Sequence, residues 1–244
     1  MSGNRIGRRH ALGVLGAGFG AAVLGACADD GGTDSAAGGS TSTDGASTPT
    51  TPAGFDGAAT CTVTAVQTEG PYYLDVDKIR ADIREDREGA ELEVAVRVMD
   101  ADGCTPIKDA VFDIWHADAS GDYSGFDGTA APGASPTGSR YLRGAQVTDA
   151  DGIARITTIF PGWYPGRTPH VHAKVYISNA EVLTTQLYFD ESAIAEAYQL
   201  APYAQRGSAD QSNGSDILFD QRNVMTVSRD GDRFIGRMTI AVQR

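Results

Sequence analysis

Histidine is scarce in this chain, with four among 244 residues, and cations are outnumbered: 20 Lys and Arg face 32 Asp and Glu, a net charge of −12. With a pI near 4.6, the chain has no basic patch for an anionic polymer, which argues against nucleic acid as a partner. The same deficit leaves no positive field to gather an acidic substrate. Cysteine is limited to three residues. The long apolar run at Ala11–Ala26 is too short for a comfortable membrane span. There is no internal repeat, and helical periodicity is nearly absent.

What the N-terminal region does contain reads as targeting. Basic residues from Asn4 to Arg9, including the pair Arg8-Arg9, precede the apolar run, which ends in Leu24-Gly-Ala-Cys27. This is the layout of a secretory signal over residues 1–27. The arginine pair resembles a twin-arginine signal, and Leu-Gly-Ala-Cys resembles a lipobox whose cysteine is lipidated. The expectation is an exported chain, either a cell-surface lipoprotein or secreted, that meets a membrane only through an anchor at Cys27. Residues 28–57 are Gly, Ser, Thr, Asp and Ala-rich and read as a flexible tether. Cys61 and Cys104 then remain as an even pair, which in an exported protein predicts a disulfide.

Residues 58–244 carry the ordered domain. Cys61–Val66 alternates in strand fashion, Glu91–Met99 is a clean alternating strand, and Ala110–His116, Tyr141–Val147, Ala154–Ile159 and Val182–Phe189 follow the same pattern. Val224–Val227 and Arg233–Val242 predict a closing hairpin around Arg229-Asp-Gly-Asp232. Only Ser192–Leu200 has helical composition. The fold class is therefore all-β: a β-sandwich of mostly antiparallel strands with long loops at the active site and little helix.

Within it, Phe160-Pro-Gly-Trp-Tyr-Pro-Gly-Arg-Thr-Pro-His-Val-His172 concentrates a phenol, a guanidinium and two imidazoles. On a strand, His170 and His172 share one face and Val171 takes the other. Two imidazoles so placed, with Tyr164 on a loop before them, predict a metal centre with at least one tyrosine ligand. A solvated strand face behind an aromatic-plugged turn fits the same residues; the scarcity of histidine favours the metal.

Four motifs in consistent order add a resemblance. Asp113-Ile-Trp-His-Ala-Asp-Ala-Ser-Gly-Asp-Tyr-Ser-Gly-Phe-Asp127, Leu142-Arg-Gly-Ala-Gln-Val-Thr-Asp-Ala-Asp-Gly152, Pro161–His172 and Thr185-Gln-Leu-Tyr-Phe189 resemble the intradiol ring-cleavage dioxygenases. The resemblance covers about Cys61 to Phe189. It implies a non-haem Fe(3+) ion held by Tyr123, Tyr164, His170 and His172, with Tyr164 as the ligand that leaves when substrate binds. By the same resemblance Arg167 stabilises the carbanion-like catecholate and Gln186 lies near the iron. The implied partners are catechols and O2, and the implied product is a cis,cis-muconate. Tyr72 and Tyr73, in Gly-Pro-Tyr-Tyr, resemble a pocket-lining element, although core packing fits them equally; Trp163 either flanks substrate or anchors its loop.

Donor chemistry points the same way. A phenol of ordinary pKa must lose its proton to bind a metal at pH 7, at a cost of roughly 4 kcal/mol. A hard trivalent ion offsets that, whereas zinc selects imidazole, thiolate and carboxylate. Two rival readings use the same sandwich: a surface lipoprotein that binds without turnover, and a hydrolase or transthyretin-like domain with a divalent metal. Residues 1–57 read as signal and tether, unlike the helical N-terminal region that dimerises catechol 1,2-dioxygenases. That layout resembles secreted single-domain members of the family.

Overall fold

The computed structural model describes residues 54–55, 61–128 and 138–243. The export signal, Cys27, most of the tether and the larger part of the loop from Gly128 to Ser139 lie outside the described residues. Among the described residues, eight strands form two four-stranded sheets. They are β1 (Glu91–Asp100), β2 (Val111–Trp115), β3 (Arg143–Val147), β4 (Ile153–Ile159), β5 (His170–Ile177), β6 (Ala180–Tyr188), β7 (Thr226–Asp230) and β8 (Arg233–Val242). One sheet has the order β4-β1-β8-β7 and the other β3-β2-β5-β6. All neighbours are antiparallel except β1 and β8.

Alternation decides which faces meet. Leu92, Val94, Val96 and Val98 of β1 are fully buried, as are Phe112 and Ile114 of β2 and Val171, Ala173 and Val175 of β5, and all join one core between the sheets. Their neighbours in sequence on β5, His170, His172 and Lys174, point to the other side of the second sheet, yet they too are buried. Loops cover that outer face. Residues 77–88 run from one sheet to the other: Arg80 N–H donates to the Ala145 carbonyl of β3, Ile83 N–H donates to the Thr157 carbonyl of β4, and Ile83 is fully buried.

Several boundaries differ from the sequence expectation. Cys61–Val66 forms no strand; only Val63 bridges Ala241, with Thr64 N–H donating to the Ala241 carbonyl. The strand expected from Tyr141 starts at Arg143, because Leu142 has φ +54° and its N–H donates to Ile83. The helix α1 (Glu191–Ala197) starts on Asp190, whose carboxylate accepts from Ala193 N–H. It stops three residues early, as Gln199 and Leu200 donate to carbonyls three residues back. Among the described residues no helix is long and apolar enough to cross a membrane. Cys61 and Cys104 are joined as a disulfide with Cα atoms 5.5 Å apart.

Candidate metal centre

The outer face of the second sheet reads across its strands as a row. His170 of β5 lies opposite Tyr188 of β6, and His172 lies between Gln186 of β6 and Trp115 of β2, which in turn faces Arg143 of β3. Cross-strand partners share a face, so these side chains stand together although up to 73 residues separate them. Trp115 stacks on the His172 ring at 4.9 Å and 7°.

Two loops bring the phenols to this row. Pro165-Gly166 makes a tight turn in which Arg167 N–H donates to the Tyr164 carbonyl; Gly166 has φ +84°, as the third position of a type II turn requires. The turn sets Tyr164 and Arg167 side by side at the start of β5. Tyr123 comes from the loop after β2, where the Asp118 carboxylate accepts from Ser120 and Asp122 N–H. The two loops are pinned together at Gly162, which donates to the Asp118 carbonyl, and a Cβ there would overlap the Asp118 and Ala119 carbonyls.

The donor atoms converge. Tyr164 Oη is 3.1 Å from His170 Nε2, His170 Nε2 is 3.1 Å from His172 Nε2, and a side-chain hydrogen bond links Tyr123 to Tyr164. Ligands about 2.1 Å from one ion and at near-right angles stand about 3 Å apart, so this spacing suits a shared ion. The tautomer of His170 is set as well: its Nδ1 lies 2.7 Å from the Thr168 carbonyl and must donate, which leaves a lone pair on Nε2. Burial keeps both imidazoles neutral, pushing His170 down to about 3 and His172 well below its ordinary value. It also pushes both phenols up; the Arg167 cation partly opposes this at Tyr164.

Buried phenols holding their protons beside two neutral imidazoles form a donor set that only a strong cation would ionise, and the residues therefore fit a ferric ion. Among the described residues no group of three or more His, Cys, Asp or Glu is placed to hold a metal.

Arg167 reaches the same point. Its Nη1 lies 3.4 Å from Tyr164 Oη and 3.3 Å from His170 Nε2, and its Nη2 donates to Gln186 Oε1. Gln186 Nε2 donates to the Thr68 carbonyl at 3.0 Å. Tyr72 stacks on Tyr123 at 4.5 Å and meets the Tyr164 ring edge-on. Tyr73 sits one step away, against Trp115, with its hydroxyl near Asp113 and Tyr176. Trp163 is not brought to this cluster. It packs on the main core beneath the Arg206 guanidinium, because its neighbour Tyr164 takes the opposite side of the loop. Of the two placements considered for Trp163, this packing is that of a loop anchor.

Four residues at the site carried no expectation. Trp115 and Tyr188 follow from strand register once the sheet order is known. Gly70, at φ +72°, lies against His172, and a Cβ there would be 3.1 Å from His172 Cε1. Asp216 accepts from Arg167 Nε at 2.9 Å, across 49 residues of sequence.

Comparison with known proteins bears on this arrangement. Residues 68–206 match the family model for dioxygenases. The solved intradiol ring-cleavage dioxygenase from Tetranychus urticae is 34% identical, covers 75% of this chain and 95% of its own, and superposes with a TM-score of 0.68. The chain belongs to the intradiol dioxygenase family. A second solved structure, the dioxygenase domain of a dioxygenase carbohydrate-binding protein fusion from Streptomyces sp. SirexAA-E, is 31% identical over 75% of this chain and 99% of its own, with a TM-score of 0.58. Among curated relatives, catechol 1,2-dioxygenase 1 of Acinetobacter lwoffii is 32% identical over 169 residues, 55% of this chain and 51% of its own length. A chlorocatechol 1,2-dioxygenase of Cupriavidus pinatubonensis is 29% identical over 145 residues, 50% of this chain and 53% of its own. The chain spans about half the length of the curated relatives it matches.

Proposed function

We propose that the protein cleaves the ring of a catechol between its two hydroxylated carbons, adding both atoms of O2 to give a cis,cis-muconate-type product. The convergence of two phenols and two imidazoles, with the Arg167 guanidinium and the Gln186 carboxamide at their edge, carries this reading. Tyr123, Tyr164, His170 and His172 are the residues that would hold a ferric ion. When bound, such an ion supplies the Lewis acidity that keeps a catechol as its dianion and makes the ring susceptible to oxygen.

The chain's own groups do the rest. Tyr164 is only partly buried and sits beside the exposed Pro165-Gly166 turn, whereas Tyr123 is fully buried, so Tyr164 is the donor best able to give way, and its Oη would take one catechol proton. Arg167 Nη1 holds positive charge at the donor cluster, where ring carbons gain electron density. Gln186 Oε1 fixes the guanidinium, and its Nε2 is held by the Thr68 carbonyl. Tyr72 walls the site over Tyr123 and Tyr164. With a net charge of −12, the chain favours neutral catechols, of the kind lignin breakdown yields, over acidic ones.

Iron-loaded protein given catechol should consume one O2 per ring and place both atoms of labelled oxygen in a muconate. No oxygen uptake, or a product cleaved beside rather than between the hydroxyls, would contradict the reading. We also propose export with lipid attachment at Cys27, on the strength of the twin arginines and Leu-Gly-Ala-Cys. Labelled palmitate should enter the wild-type chain in its host and not the Cys27→Ala variant; equal labelling of the two would remove this claim.

A further inference from the structure

The loop that follows α1 returns to the metal site through one carboxylate. Asp216 has no solvent-exposed side-chain surface, and its Oδ2 accepts from both Arg167 Nε at 2.9 Å and Thr168 N–H at 3.0 Å. The other oxygen, Oδ1, accepts from Leu218 N–H, which fixes the carboxylate's own plane. Asn213 supports the same loop: its Oδ1 accepts from Thr168 Oγ1, and its Nδ2 donates to the Phe189 carbonyl.

A guanidinium has an Nε edge and two Nη ends in one rigid plane. For Arg167, Asp216 holds the Nε edge and Gln186 holds Nη2, which leaves Nη1 directed at Tyr164 Oη and His170 Nε2. Arg167 keeps 14% of its side-chain surface exposed, so release of Nε would let the long side chain turn toward water. A buried ion pair gives up hydration that apolar neighbours would not require, so its return is expected in orientation rather than in stability. The second bond from Oδ2 has a related effect. It fixes the backbone at Thr168, whose carbonyl sets the His170 tautomer.

We propose that Asp216 is a positioning residue: it aims the Arg167 guanidinium at the open edge of the metal site and braces the turn that orients His170. The inference rests on the ring-cleavage reading above. Asp216 touches neither the donor atoms nor a substrate bound to them; it acts through Arg167 and Thr168.

The test is a double-mutant cycle on the full-length iron-loaded chain with Arg167→Ala, Asp216→Asn and the double variant. With its oxygen in the Oδ2 position, Asn keeps the size and an acceptor for Thr168 N–H. It leaves Arg167 Nε only that shared neutral oxygen in place of a charged one, and sets its NH2 against Leu218 N–H. Asp216→Asn should keep wild-type iron content and bind catechol anaerobically within about threefold of wild type. It should slow decay of the catechol complex under oxygen by roughly 10- to 100-fold, the scale of a misplaced group. In the Arg167→Ala background the same change should cost less than about twofold. In metal-free protein, nitrogen NMR should show an Arg167 Nε–H protected from exchange, and Asp216→Asn should lose that protection.

A wild-type decay rate in Asp216→Asn would overturn the proposal, as would a full additive loss in the double variant. So would an Arg167 Nε–H in metal-free wild type that exchanges as freely as an exposed arginine, and that reading holds even if the variant fails to fold. Failure of the ring-cleavage reading looks different: wild type itself would show no catechol turnover, while the NMR signal would be unaffected.

Discussion

At the scale of single residues, the two kinds of buried histidine separate by what their nitrogens face. His116 Nδ1 lies 2.8 Å from the Ala117 carbonyl and donates to it, and its Nε2, 2.7 Å from Thr158 Oγ1, accepts from that hydroxyl. Both nitrogens are occupied, so His116 has no lone pair for a metal. His170 uses only Nδ1 in that way and turns Nε2 to the phenols. His116→Gln should therefore leave iron content unchanged and lower stability by about 1–3 kcal/mol. Burial also pushes His116 from 6.5 down to about 4. Between those values the unfolded chain takes up the proton and the folded one does not, so this contribution is fully present above pH 6.5 and is lost as pH falls toward 4. The lost increment is roughly 3 kcal/mol. Urea titrations of metal-free protein should show a shallower acid decline for His116→Gln than for wild type; identical slopes would contradict the assignment.

At the scale of elements, strand alternation and one tight turn carried the site and the irregular loops did not. His170 and His172 were legible because two-residue alternation on an eight-residue strand fixes a face before any partner is known. Tyr164 and Arg167 were legible through Pro165-Gly166, a turn with its own chemistry. Trp115 and Tyr188 needed the sheet order, which alternation alone does not supply. Asp216 was hidden for another reason: it lies in a loop without periodicity, and only the folded path brings it to Arg167. Gly162 belongs here too, since close approach of two loops leaves no mark in either one. Gly162→Ala should force the Tyr123 and Tyr164 loops apart and cost about 1–3 kcal/mol. For a domain of this size that lowers Tm by roughly 2–4 °C per kcal/mol, and iron content should fall with it. An unchanged Tm with full iron loading would show that the loops do not depend on this contact.

At the scale of the whole molecule, a sandwich core provides the floor and loops from four regions provide the site. The core between the sheets needs only apolar alternation, which is why the all-β architecture could be read from the chain. One face of the second sheet departs from a polar, solvated exterior, because segments 67–73, 116–128, 160–168 and 210–218 cover it with functional groups. The fold would support a binding module equally well; what distinguishes this chain is the chemistry of the covered face. Two buried phenols beside two neutral imidazoles fit the ferric ion proposed for this site.

The most direct measurement is the visible absorption spectrum of the purified full-length protein, loaded with ferric iron, before and after anaerobic catechol. The account predicts a broad tyrosinate-to-iron band that moves to longer wavelength when catechol binds, reporting the metal, its phenolate ligands and substrate chelation together. A protein that stays colourless after reconstitution with iron would contradict it, because Tyr123, Tyr164, His170 and His172 would then not be holding one ion.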